Sequence, residues 1–124
     1  MKFTFIDPEG EDKSFSDVES LKVILNLDYK LWKGGPGDAS IIVINNEQLI
    51  LIKLEEGFFI LFHPDYLSPE IDNNSPETIG HHIGGEEVRI SKRLICNFDQ
   101  AYEIIAHYIL KKELHDEYNW EDSF

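Results

Sequence analysis

Phe3 and Phe5 alternate with polar neighbours in MKFTFID, which predicts a short strand ending at Asp7-Pro8. In SFSDVESLKVILNL the spacing changes. Val18, Leu21, Ile24 and Leu25 recur at intervals of three and four, the stripe of an amphipathic helix. Ser16 with Glu19 has the spacing of a capping box, so the helix is expected to start there. It must stop before KGGPG, residues 33–37, which no helix tolerates. Three apolar runs follow, SIIVI, LILIKL and FFILF, joined by the turn-like NNEQ and EEG in the manner of an antiparallel meander. These runs are nearly continuous, so both faces of the middle strands are expected to be covered, with helices on at least one side.

HPDYLSPEIDNNSPETIGHHIGG carries three prolines and three glycines and reads as a long irregular stretch. EEVRISKRLIC returns to strand composition. The strongest helical pattern is NFDQAYEIIAHYILKKEL. Asn97 is its N-cap, Gln100 completes a capping box, and Asp99 suits the positive end of the helix dipole. Phe98, Ala101, Tyr102, Ile105 and Ile109 share one face, and Lys111 and Lys112 suit the C-terminal end. The expected fold is α+β: an antiparallel sheet, a meander of about four to six strands, packed by an N-terminal and a C-terminal helix. Residues 1–124 are expected to form a single domain.

Charge sharpens this picture. The chain holds 24 acidic and 11 basic residues, a net charge of −13. Eight acids and no lysine or arginine lie between Leu54 and Val88, and five more acids, again unopposed, lie between Glu113 and Phe124. These two segments carry the whole imbalance. Such a field repels nucleic acid and anionic membranes and speeds association with cationic proteins. The plainer alternative is a set of solvated loops that keep the chain soluble. Where aromatic rings interrupt the acids, a basic protein partner would find both anchors and steering charge. The proposed contact residues are Glu55, Glu56, Asp65, Tyr66, Glu70, Asp72, Glu86, Glu87, Asp116, Glu117 and Tyr118. Trp120 is expected to fold back and anchor the end of the last helix, which makes the tail HDEYNWEDSF structured rather than loose.

The longest apolar run, FFILF, is far shorter than the roughly 20 residues of a spanning helix. MKFTFIDPEGED lacks a secretory pattern, and Cys96 has no partner for an internal disulfide. A cytoplasmic location is therefore expected.

Chemical motifs are weak. His81 and His82 with Glu86 and Glu87 are the obvious metal candidates, but adjacent histidines diverge in regular backbone and no zinc-site spacing is present. His107 and His115 are expected to be exposed or hydrogen-bonded. GGPGDAS lacks the lysine of a phosphate loop and precedes a strand, not a helix. Cys96 ends an apolar strand, where a small buried side chain suffices, and Glu55 with Glu56 sits in a turn with no pocket to separate their pKa values. No catalytic residue, metal or cofactor is nominated.

The order of helix, GGPG, apolar hairpin, glycine turn into a third strand, and FDQAYEIIAHYILKKELHDEYNW resembles the first-numbered immunity-protein family of bacterial polymorphic toxin and contact-dependent growth inhibition systems. The resemblance runs from about Ser16 to Trp120. That family often has a glycine-proline pair between its final helix and the tryptophan, where this chain has LHDEYNW. The resemblance implies a cytoplasmic, non-enzymatic antidote that binds a cognate toxin domain, commonly a basic nuclease, and occludes its active site. Two alternatives stay open: an acidic protein-binding regulatory module unrelated to toxins, and a small metal-dependent enzyme using His81, His82 and the loop acids.

Overall fold

A computed structural model describes residues 2–27, 32, 38–72, 77–83 and 86–123, apart from the side chains of His82 and Ile83. The described strands are β1 (Phe3–Ile6), β2 (Asp12–Phe15), β3 (Ala39–Ile42), β4 (Gln48–Lys53), β5 (Phe58–His63), β6 (Leu67–Pro69), β7 (Thr78–Ile83), β8 (Glu86–Ser91), β9 (Ile95–Cys96) and β10 (Trp120–Asp122). Among the described residues two α-helices accompany them, α1 (Ser20–Leu25) and α2 (Phe98–Lys111), with a 3₁₀ turn at Lys92–Leu94. The fold is α+β with a mostly antiparallel sheet. Its main path runs β10-β6-β5-β4-β3-β1-β2, β9 joins beside β5, and β7 pairs with β8 as a separate hairpin.

The meander is as expected: β3, β4 and β5 pair antiparallel in sequence order. Asn46 takes a left-handed φ of 73° in the turn between β3 and β4. Gly57, in the next turn, has φ 152°, and a Cβ there would lie 2.3 Å from the Cys96 carbonyl oxygen. Only glycine lets β9 come this close to the start of β5. Side-chain alternation then divides the apolar runs between two cores. Leu49, Leu51, Phe58, Ile60 and Phe62 join the larger cluster with Leu21, Ile24 and Leu25 of α1 and Ala101, Ile104, Ile105, Tyr108 and Ile109 of α2. Ile52, Phe59 and Leu61 join Leu54, Ile90 and Leu94 in the smaller one. Both faces of the central strands are thus covered, one of them by the hairpin and the 3₁₀ turn.

Several expectations need correction. Among the described residues the sheet has eight strands, more than the meander suggested. The stretch read as irregular contains β6, which pairs with β5 just before it and with the distant β10, and β7, which pairs with β8 just after it. The first helix does not use Ser16 and Glu19 as a capping box. The Asp17 carboxylate accepts the Glu19 amide at 2.9 Å, and α1 begins only at Ser20 without a side-chain cap. Lys53 supports its other end, donating to the carbonyls of Leu25 at 2.9 Å and Leu27 at 2.7 Å. The capping box of α2 is present as read, with Asn97 Oδ1 accepting the Gln100 amide at 2.8 Å and Gln100 Oε1 accepting the Asn97 amide at 2.9 Å. The KGGPG stop lies outside the described residues.

Candidate partner-binding surface

The strand β10 decides how the acidic residues are arranged. It pairs with β6 in the register Trp120 to Pro69, Glu121 to Ser68 and Asp122 to Leu67. The Glu70 amide extends the ladder by donating to the Asn119 carbonyl at 2.8 Å. This pairing lays the second acidic segment directly alongside the first. Glu70 meets Glu121 there, and the hydrogen bond they share, followed by desolvation and mutual repulsion, raises the Glu70 carboxyl above its ordinary range against the opposing pull of Arg93.

The acids are not unopposed in space. Arg93, from the 3₁₀ turn, donates to Glu121 Oε1 through Nε at 2.7 Å and through its terminal nitrogen. Lys92 donates to Glu77 Oε2 at 2.9 Å. Neither cation was nominated from sequence, because both lie outside the acidic segments: the β7–β8 pairing, continued by the Lys92 amide donating to the Glu77 carbonyl at 2.9 Å, brings Lys92 to Glu77, and the 3₁₀ turn that follows places Arg93. Lys92 also lines a cleft of 260 Å³ with Glu56, Asp72 and Ile95. Glu56 and Asp72 therefore line one cleft with Lys92, and the Asp72 amide donates to the carbonyl of Arg93, whose guanidinium holds Glu121.

The other nominated residues are dispersed. Glu55 is exposed beside Glu56 in the turn between β4 and β5. Asp65 and Tyr66 lie at the opposite end of β5. Tyr66 is 53% exposed, holds φ 56°, and sets its ring edge-on to His63 at 5.5 Å. Glu86 and Glu87 begin β8 on the separate hairpin, and Glu87 lies 3.8 Å from Arg89. Asp116 and Glu117 are exposed after α2, whereas Tyr118 is half-buried with its ring edge-on to His115 at 5.2 Å. Trp120 is half-buried against the main core and donates from Nε1 to the His115 carbonyl at 2.9 Å.

His115 is buried, and hydrogen-bonded. Its Nε2 lies 3.0 Å from Glu103 Oε1, and its Nδ1 accepts the Glu117 amide at 3.3 Å. Among the described residues, Glu103, His115 and Glu117 are the group with donor atoms close enough to hold a metal ion. Sequence reading looked instead to His81 and His82, whose strand pairs them with Val88 and Glu87. Cys96 is buried, and desolvation pushes its thiol up to about 12, so at neutral pH it is an unionised thiol.

No protein-family model, no curated protein and no solved structure matches the chain. Among the described residues no helix is long and apolar enough to cross a membrane.

Proposed function

We propose that this chain is a cytoplasmic immunity protein of the polymorphic-toxin type, which binds a basic toxin domain and occludes its active site without performing catalysis itself. The observation that carries the reading is the pairing of β6 with β10, which joins both acidic segments into one edge bearing Glu70, Glu121 and Asp72, with Glu56 close by. Toxin domains that act on nucleic acid are basic because they must hold a phosphate backbone, and a fixed row of carboxylates imitates that polyanion. Fixing matters, because a carboxylate already held in place loses less conformational entropy on binding. The two helices brace the opposite side of the sheet in this reading, which leaves the acidic edge free to meet the partner.

Association kinetics test it. Replacing Glu55, Glu56 and Asp72 together by Gln, Gln and Asn should slow association with the basic effector domain encoded nearby at least tenfold at low salt and flatten its salt dependence. An unchanged association rate would make this end of the sheet a solvated face and remove the basis of the proposal.

A further inference from the structure

We infer that Glu103, His107, His115 and Glu117 form a binding site for a divalent transition metal, one that ties α2 to the segment leading into β10. Glu103 and His107 are four residues apart on α2 and so share one face of the helix. His115 and Glu117 are two apart in the loop that follows. One donor atom each from Glu103, His115 and Glu117 lies within 4.8 Å of the others, and the Glu103 to His115 separation is already 3.0 Å. Metal–ligand bonds of about 2.0–2.2 Å in a tetrahedral array set donors about 3.3 Å apart, so the Glu117 carboxylate and the His107 imidazole both have to close in on the Glu103 and His115 pair.

A second, independent observation points the same way. The His107 ring lies 4.5 Å from that of His115, and its Nε2 is buried without a hydrogen-bond partner among the described residues. Glu113, at 3.8 Å, is too distant to satisfy it. A metal ion held at His115 Nε2 gives this orphaned nitrogen a partner once the His107 imidazole turns toward it. Two imidazoles and two carboxylates suit zinc and its neighbours, whereas magnesium and calcium favour all-oxygen sets.

Without metal, the His115 Nε2–H faces Glu103 and Nδ1 accepts from the Glu117 amide. Loading shifts that proton to Nδ1 at the expense of the 3.3 Å contact, so the imidazole stays neutral while Nε2 takes the ion. The ion also offsets the two Glu charges. Because Trp120 Nε1 holds the His115 carbonyl, the site braces the base of β10.

Titrating chelator-treated full-length protein with zinc chloride, by calorimetry and by thermal melting, tests this. The expected result is one equivalent bound with micromolar or tighter affinity and a raised Tm. Glu103→Gln and Glu117→Gln are both exposed positions, and each should weaken binding at least tenfold while leaving the zinc-free Tm unchanged. The paired change His81→Ala and His82→Ala should leave binding intact. Absence of saturable binding, binding indifferent to Glu103→Gln and Glu117→Gln, or binding lost in the His81 and His82 variant would each overturn the assignment. The titration uses the protein alone, so its outcome is independent of whether a toxin is bound.

Discussion

The hydroxyls of Ser68 and Ser123 lie 2.7 Å apart in a buried contact that closes the C-terminal strand onto the sheet. Ser123 Oγ also donates to the Tyr66 carbonyl at 2.9 Å, so its single proton is committed and Ser68 must donate to Ser123. The Ser123 amide donates to the same carbonyl at 2.9 Å. The acidic tail is therefore held at its far end by a satisfied polar knot, not merely by packing.

Ser123→Ala should cost about 1–3 kcal/mol, because it leaves the Ser68 hydroxyl buried without an acceptor. Changing Ser68 and Ser123 together to alanine should cost less than the sum of the single changes, since no orphan is left behind. Urea unfolding of the four proteins in this cycle measures both figures. Additive costs would show that the two hydroxyls are not coupled.

Trp120→Ala removes a half-buried ring and the bond from Nε1 to the His115 carbonyl. A loss of about 2 kcal/mol is expected, below that of a fully buried tryptophan because part of the ring already meets water. The same urea series reads it. An unchanged midpoint would mean that the tail contributes nothing to the fold.

The phenol of Tyr108 is raised above its ordinary value of 10.0, first by burial and then by the hydrogen bond it donates to Glu47 at 2.7 Å. The unfolded phenol ionises near that ordinary value while the folded one stays protonated. Its contribution is therefore complete below pH 10 and is lost as the pH climbs through the folded value. Cys96 acts in the same direction from its ordinary 9.0 upward. Unfolding measured from pH 8 to pH 11 should show stability falling in this window. The slope should be shallower in Tyr108→Phe and in Cys96→Ala, and a flat profile in the unaltered protein would contradict both assignments.

What the sequence made legible follows the range of the interactions involved. Asn97 and Gln100 are three apart, so their capping box is a local signal and appears as read. The same spacing at Ser16 and Glu19 misleads, because Asp17 reaches the Glu19 amide instead. The strands β6 and β10 carry three residues each and are specified only by each other and by β5, so nothing nearby announces them. The acidic segments are visible as composition. Their meeting through Glu70 and Glu121, and the intervention of Arg93, are properties of the strand order alone. Glu103, four residues before His107, carried a detectable helical signal, but the return of His115 onto that face depends on the turn after α2.

Co-expression with a basic effector domain, which the proposed function requires to be encoded nearby, is the most direct measurement of the central claim. The account predicts that cells are protected and that the two proteins are recovered as a 1:1 complex weakened by salt. Continued killing, with the folded protein present in at least equal amount to the effector, would contradict it.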